Sequence, residues 1–350
     1  MLYKIIKFRD FMIILTVSFL VLLMAFSNIG IKGAKDGLIL CATVVIPSLF
    51  PYSFTVLFLT RLNISKIFKP LQRLTLKIFN MNVDVFSTFA LSFLGGYPSG
   101  SKLINELKSS GKINDKTANN LLLFCVNAGP GYIIIAVGNT VLHSNACGII
   151  LLTAHILSSF ILAFIMKKNT AVSNVTAKDK EIKISTAQAF VSSVGDASES
   201  IIGICFFVVL FSVFNEYIIS FYPIKYLSLF TEVTSAVTQN KNIYLISFLL
   251  GFAGLSIWCQ ILSCAKSIKV NIGKFALFRI LHGGLSVTLT YTIIIIFKPA
   301  IPTFSSNDII KYSFFENHVK TSVSLSVMLI ILIIALENKI TCRKIKNDLL

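Results

Sequence analysis

The stretch VDVFSTFALSFLGGYPSGSKLINELKSSG (residues 83–111) decides the fold, because each of its two arms is too short to cross a membrane. An apolar arm precedes GGYPSGSK (Gly95–Lys102), and a more polar helical arm follows it. A crossing helix needs about 20 consecutive apolar residues, whereas glycine and proline allow or impose sharp turns. We therefore predict a re-entrant hairpin with GGYPSG at its tip.

The composition of the whole chain indicates a membrane protein. Of its 350 residues, 55% are hydrophobic and 13% are charged, and the mean hydropathy is +0.81. Soluble proteins carry about 25% charged residues, so this chain has too little polar surface for a soluble globule. The net charge of +17 comes from 32 basic and 15 acidic residues. The basic residues cluster between apolar runs, as positive-inside topology requires, so no nucleic-acid partner is predicted.

Runs long enough to span a bilayer recur along the chain, and together they predict an all-α polytopic membrane protein with about eight transmembrane helices. The first run follows MLYKIIKFRD and is predicted to be an uncleaved span with a cytoplasmic amino terminus. Pro47 and Pro51 predict a kink or break in the second run. The runs are 11–31, 37–60, 119–138, 145–166, 200–221, 243–265, 275–297 and 321–337.

The charges of two connecting segments fix the topology of the hairpin. Residues 61–82 and 167–187 are both rich in lysine and arginine, so both are predicted to be cytoplasmic. An even number of crossings must then separate them, and the runs 119–138 and 145–166 already supply two. Residues 83–110 should therefore enter and leave the membrane on the same side.

The two halves of the chain show a weak internal similarity that predicts two inverted repeats. GGYPSGSK precedes FCVNAGP (124–130) much as FAGLSIWCQ (252–260) precedes RILHGGL (279–285). Repeat symmetry favours a second hairpin over 243–268, whereas the charges favour a full crossing there, and both remain open. The predicted divisions are an anchor span (1–36), a first gate-like repeat (37–166), a basic cytoplasmic linker (167–187), a second gate-like repeat (188–338) and a basic tail (339–350).

The first break in the apolar pattern is a candidate binding site. A half-helix that begins near Pro98 would present free N–H groups and partial positive charge to an anion, and Lys102 could add a full charge. The alternative is a packing contact of Gly96 and Gly100, with Lys102 reaching the membrane surface. The predicted substrate-binding residues of the first half are Gly95, Gly96, Tyr97, Pro98, Ser99, Gly100, Ser101, Lys102, Asn127 and Gly129.

The second half contributes four further candidates. Gly254, Ser256 and Gln260 lie at the second break, where they either line a cavity or form hydrogen bonds between helices. Glu232 lies in LFTEVTSAV (229–237), where it either binds an ion or proton or lies at the membrane surface. Asn127 and His282 allow the same two interpretations as the polar groups of the second break.

The sequence indicates neither a metal site nor an enzyme. The seven cysteines form no CxxC pair, and most lie within apolar runs. HExxH and GxSxG are both absent from the sequence. We therefore predict no catalytic residue, no metal and no cofactor.

Four segments together resemble the sporulation integral membrane proteins of the YlbJ type, which belong to the wider nucleoside-recognition, or gate-domain, superfamily. They are GGYPSGSKLINELKSSGKI, LLLFCVNAGPGYIIIAVG, LFTEVTSAV and GFAGLSIWCQ, and the resemblance extends from about residue 11 to 340. Ser101 replaces the alanine of the family pattern GYPxGAK. Ala253-Gly254 replaces the first glycines of the pattern GGLSVxxQ.

The resemblance implies a function late in sporulation. Such a protein is made in the mother cell, lies in the outer forespore membrane and moves dipicolinic acid toward the spore. Its expected partners are a small anionic solute and the lipid bilayer, with a second copy or other sporulation membrane proteins as protein partners. The alternatives are a nucleoside or other small-solute transporter of the same superfamily, and a non-transporting membrane scaffold in spore maturation.

The predicted topology can be tested by labelling. Cysteines placed in 61–82 and in 167–187 should both be shielded from impermeant thiol reagents applied to intact cells, because both segments are predicted to face the cytoplasm. Labelling of one segment and not the other would mean that 83–110 crosses the membrane.

Overall fold

The computed structural model describes residues 2–167, 185–221 and 227–297, without the side chains of 2–8, 227 and 228. All elements within these ranges are helical, as predicted. Most of the linker 167–187, the predicted span 321–337 and the tail 339–350 lie outside the described residues.

Seventeen helical elements follow one another in the described part of the chain. The α-helices are α1 (Leu2–Ala25), α2 (Ser27–Leu40), α3 (Ile46–Arg61), α4 (Gln72–Phe79), α5 (Val83–Gly95), α6 (Tyr97–Ser109), α7 (Asp115–Leu122), α8 (Asn145–Ile165), α9 (Thr186–Phe221), α10 (Leu227–Thr231), α11 (Val233–Thr238), α12 (Ile243–Phe252), α13 (Gly254–Cys264) and α14 (Ile272–Phe297). Two π-helices (Cys41–Val45 and Gly131–Val141) and one 3₁₀-helix (Ile64–Leu71) complete the set.

The length and hydropathy of these helices confirm the all-α polytopic membrane class. Within the described residues, five helices are long and apolar enough to cross a bilayer. A sixth is added if 64–79 and 83–95, which meet at 88°, count as one span. The five are Ser27–Arg61, Asn145–Ile165, Thr186–Phe221, Ile243–Cys264 and Ile272–Phe297.

Helices α5 and α6 form the hairpin that the sequence predicts. Each has 13 residues and is therefore about 20 Å long, which is shorter than the roughly 30 Å hydrocarbon core. Gly96 separates them with a φ of 79°, a conformation that glycine adopts without strain. Near the two outer ends, Lys112 Nζ lies 3.2 Å from a carboxylate oxygen of Asp84. The segment therefore turns back and leaves where it entered.

The prediction of a continuous span over 119–138 is wrong. Helix α7 ends at Leu122, residues 123–130 have no regular helix, and the π-helix begins at Gly131. The unwound backbone stays in place because distant side chains satisfy it. The N–H of Ala128 donates to His155 Nε2 at 3.0 Å, and Arg279 donates to the carbonyl of Val126 at 2.7 Å. The segment is thus a broken crossing.

The open alternatives for 243–268 resolve in favour of a crossing. Helix α12 packs antiparallel to α14, and Ile243–Cys264 forms one apolar run long enough to cross a bilayer. Ser247 Oγ lies 2.9 Å from Thr290 Oγ1 near one end, and the rings of Trp258 and Phe275 are 5.5 Å apart near the other. The break falls at Ala253, which has a φ of 68°. In geometry FAGLSIWCQ therefore matches the broken crossing at FCVNAGP rather than the hairpin at GGYPSGSK.

The first two predicted spans have different boundaries in the structure. Helix α1 ends at Ala25, and Ser27–Arg61 then forms one 35-residue helical run. The break expected at Pro47 appears as the π-turn Cys41–Val45. A proline clashes with the carbonyl one turn before it and cannot donate to that carbonyl. A wider π-turn at this place accommodates both effects without ending the helix.

Gly100 lets α6 pack directly on the unwound segment, and this contact can be tested. A Cβ added at Gly100 would lie 1.9 Å from the carbonyl oxygen of Cys125, whereas a Cβ at Gly195 would meet no atom within 4 Å. Gly100→Ala should therefore cost about 1–3 kcal/mol or more through overpacking. Gly195→Ala in helix α9 should gain about 0.5–1 kcal/mol. Thermal unfolding of both purified variants in detergent measures the difference, and equal stabilities would contradict the contact.

Candidate functional site

A small buried cavity lies where the breaks of the two halves of the chain meet. Its volume is about 30 Å³, enough for roughly two water molecules. The tip of the hairpin, the unwound segment 123–130 and the start of α13 form part of its wall, and α9 and the end of the π-turn 41–45 close it. The lining residues are Val45, Leu49, Tyr97, Pro98, Gly129, Tyr132, Ile204, Val208, Glu232, Val233, Thr234, Ile257 and Gln260.

The cavity brings together five residues that the sequence singles out. Tyr97 and Pro98 come from the hairpin tip, Gly129 from the unwound segment, and Glu232 and Gln260 from the second half. They meet because each lies at or beside a helix break, where the backbone turns and adjoining helices begin or end. Their function in solute binding stays a prediction.

Two tyrosine hydroxyls at the cavity differ in their bonding. The hydroxyl of Tyr97 donates to the carbonyl of Leu250 at 2.7 Å and so ties the hairpin tip to the end of α12. Tyr132 is 6% exposed, and its hydroxyl lies near the side chain of Thr234 but forms no close hydrogen bond in the described structure. Buried polar groups are seldom left unpaired, so the Tyr132 hydroxyl is available to a molecule that enters the cavity.

Glu232 is a buried acid with a local structural explanation. It is 1% exposed, and its two carboxylate oxygens accept the backbone N–H groups of Thr234 at 3.0 Å and Ser235 at 2.6 Å. It therefore caps α11. Glu232 lies between two candidate spans, and burial raises the pKa of its carboxyl while the two N–H donors act in the opposite sense. The acid is thus both a helix cap and part of the cavity wall.

The second break supplies one polar side chain to the cavity. Gln260 is buried and lines the cavity, and its amide donates to Ser256 Oγ, 3.3 Å away on the same helix. Ser256 itself is buried behind it. Gly254 has a φ of 54°, and its backbone lies against the start of α11. Of the two alternatives for this break, the cavity therefore applies to Gln260.

The remaining predicted residues of the hairpin shape the turn instead of lining the cavity. The carbonyl of Gly95 accepts the hydroxyl of Ser99 at 2.8 Å, and Ser101 donates to the carbonyl of Pro98 at 2.8 Å. Together with Gly96 and Gly100, they let the chain reverse within a few residues and pack against the unwound segment.

The side chain of Lys102 bonds to α9 and does not line the cavity. Its ammonium donates to the carbonyl of Asp196 at 3.2 Å and to Ser200 Oγ at 3.1 Å. Arg61 joins the same group of contacts through Ser193 and the Asp196 carboxylate. Among the lining residues of the described structure there is neither lysine nor arginine. The cationic role expected of Lys102 therefore stays a prediction without a contact to the cavity.

Arg279 is a structural centre that the sequence reasoning missed. It is fully buried and donates to the carbonyls of Leu123 and Val126, at the point where α7 unwinds. A guanidinium there satisfies carbonyls that the broken helix leaves unpaired, at the negative end of its dipole. The available signal was a lone arginine within the apolar run 275–297, since a charge inside a span is seldom accidental.

Asn127, His155 and His282 hold the helices together around the unwound segment. Asn127 donates to Ser92 Oγ at 3.0 Å, and the rings of His155 and His282 stack with centroids 4.4 Å apart. Of the two interpretations of Asn127 and His282, these contacts fit bonding between helices. The part of the chain that the structure describes contains no group of three or more side chains able to hold a metal ion.

The similarity of most of the chain to a known protein agrees with this architecture. The chain is 23% identical over 322 residues to the sporulation integral membrane protein YlbJ of Bacillus subtilis (strain 168), across 77% of this chain and 78% of that protein. The chain is a distant relative of YlbJ. The resemblance read from the sequence motifs is thereby confirmed. No protein-family model matches the chain, and no solved structure matches it.

The contrast between the two tyrosines gives a stability test. Tyr97→Phe should lower the free energy of unfolding by about 1–3 kcal/mol, because the buried carbonyl of Leu250 loses its donor. Tyr132→Phe removes a hydroxyl without a partner and should leave stability unchanged or slightly raised. Thermal unfolding in detergent measures both. A Tyr132→Phe variant as unstable as Tyr97→Phe would show that its hydroxyl is bonded in the protein.

Proposed function

We propose that this protein is a membrane transporter, not an enzyme, that moves dipicolinic acid or a similar small organic anion during spore formation. The observation that carries the proposal is the meeting of the breaks from both halves at one buried, partly polar cavity. A lipid bilayer tolerates irregular backbone only where protein or a water-filled cavity surrounds it. Breaks at related places in two halves are typical of transporter binding sites.

The support that the unwound segment requires from other helices strengthens this proposal. A membrane scaffold needs no break, because continuous helices satisfy their own backbone groups. Here the unwound segment needs Arg279 and His155, from two different helices, to satisfy its backbone. A break that needs such distant partners is costly to maintain, and a binding cavity beside it would give it a function.

The cavity of about 30 Å³ is too small for the proposed solute. A planar dicarboxylate is many times larger than two water molecules, so the surrounding elements must separate before it binds. Val45, Leu49, Ile204 and Val208 cover the hairpin tip from α9 and the neighbouring π-turn region. Separation of these elements from the tip would enlarge the cavity and open it.

The sporulation context and the location belong to the same proposal. The relative from Bacillus subtilis is called a sporulation integral membrane protein, and the motif resemblance implies the outer forespore membrane. We propose that location, with a small anionic solute as the partner and no cofactor.

A neutral polar solute such as a nucleoside is the second candidate. It is favoured by the lining itself, since Glu232 contributes an acid and the described lining contributes neither lysine nor arginine. Gln260 and the Tyr132 hydroxyl can exchange hydrogen bonds with a base or a sugar. A neutral solute would avoid repulsion by the Glu232 carboxylate.

Uptake by purified protein in liposomes separates these candidates. Liposomes that contain the wild-type protein and are loaded with unlabelled dipicolinate should take up labelled dipicolinate from outside by exchange. Gln260→Met should reduce exchange about tenfold, because one buried hydrogen bond to a charged group contributes about 1.5–3 kcal/mol. Gln239→Met makes the same substitution at an exposed position and should have no effect. Exchange of labelled uridine instead would favour the second candidate, and exchange of neither would favour a scaffold.

Sporulating cells provide an independent measurement. Deletion of a dipicolinate transporter leaves dipicolinate made but outside the spore, whereas failed synthesis leaves none in either compartment. Assay of mother cell and spore separately distinguishes the two.

A further inference from the structure

Glu232 faces the cavity as an acid without a positive partner among the described residues. Both carboxylate oxygens are used by backbone N–H groups of its own helix, and the residue is 1% exposed. Two cations of the neighbouring elements, Lys102 and Arg279, are engaged elsewhere. Lys102 bonds to α9, and Arg279 donates to the carbonyls of the unwound segment.

The groups that face Glu232 from the surrounding elements cannot supply a positive charge either. Tyr97 comes from α6 and Tyr132 from the π-helix 131–141. Cys41 and Cys205 pair across the π-turn and α9, with the Cys41 thiol 3.5 Å from the carbonyl of Cys205. These groups are neutral or become negative on titration, so none of them stabilises an ionised carboxylate next to a bound anion.

An ionised Glu232 and a bound carboxylate oppose one another strongly in so small a site. Two like charges about 6 Å apart, at an effective dielectric constant of about 20, lower the affinity roughly a hundredfold. Protonation of Glu232 removes this repulsion and adds an O–H donor that faces the cavity. Tyr132 offers a second donor, because its buried hydroxyl lines the cavity and forms no close hydrogen bond in the described structure.

We propose that Glu232 binds one proton each time an anionic solute binds, which makes the transporter a proton–solute symporter. The inference rests on the proposed function. The proton joins a carboxylate oxygen as the solute enters and leaves from it when the solute is released. Because protonation and anion binding favour each other by the same free energy, an inward proton gradient drives accumulation of the anion.

The sign of the pH dependence follows from the pKa of Glu232 in the empty protein. Below that pKa the carboxyl is already protonated, so affinity does not change with pH. Above it, binding takes up a proton, and affinity should fall about tenfold for each pH unit until the roughly hundredfold loss is complete. Dipicolinate keeps both carboxylates ionised over the neutral and alkaline range, so the slope reports on the protein.

The experiment compares wild type, Glu232→Gln and Glu199→Gln in liposomes. Wild type should accumulate labelled dipicolinate when the outside is made acidic, with simultaneous acidification of the lumen reported by a trapped pH dye. Glu232→Gln should lose accumulation driven by the proton gradient and lose the pH dependence of affinity. Glu199→Gln makes the same change at an exposed position and should behave as wild type.

Binding of dipicolinate to the detergent-purified wild-type protein tests the inference without any variant, so it remains informative if Glu232→Gln fails to fold. Calorimetric titration in buffers of different ionisation enthalpy should count about one proton taken up per solute above the pKa of Glu232. Exchange without proton uptake, gradient-driven accumulation by Glu232→Gln, or dependence on sodium instead of pH would overturn the inference while leaving transport intact. Absence of dipicolinate exchange in wild type would instead overturn the proposed function, and the inference with it.

Discussion

The structure depends on one constraint, which is that every backbone N–H and carbonyl group inside a bilayer must find a partner within the protein. Helices satisfy it by themselves, and the described chain departs from regular helix at few places. At the largest departure, residues 123–130, partners come from two other helices. Arg279 donates hydrogen bonds to two carbonyls of the segment, and His155 accepts one from an N–H group. The remaining architecture places these two side chains where the unwound segment needs them.

The hairpin shows the same constraint in another form. Its turn is possible because Gly96 adopts a positive φ and because Gly100 has no side chain to separate α6 from the unwound segment. The small hydroxyl side chains of Ser99 and Ser101 donate hydrogen bonds to neighbouring carbonyls within the turn. A sequence rich in glycine, serine and proline is thus what a reversal at membrane depth requires.

The sequence predicted the class of fold and the hairpin, because both follow from local features such as the length of apolar runs and the position of glycine and proline. It did not predict the unwinding of 119–138, because the side chains that permit it lie far along the chain. For the same reason it paired the second break with the wrong motif. In the site, Glu232 and Gln260 stood out as polar residues in apolar surroundings. Tyr132 did not stand out, because nothing in its local sequence shows that the fold places its hydroxyl at the cavity.

The cavity has two unlike walls, and this difference affects how temperature acts on the protein. One wall is held by hydrogen bonds, because Tyr97 joins the hairpin tip to Leu250 of α12 and Asn105 joins the hairpin to Ser267, just after α13. The facing wall contributes the apolar side chains Val45, Leu49, Ile204 and Val208 to the lining. Apart from the bonds of Lys102 to α9 and of Ser53 to the carbonyl of Gly95, closure on that side is hydrophobic contact among the described residues. Opening it to water therefore carries a positive heat-capacity change, so the balance between closed and open states should follow a curved van't Hoff plot and shift toward the open state on cooling.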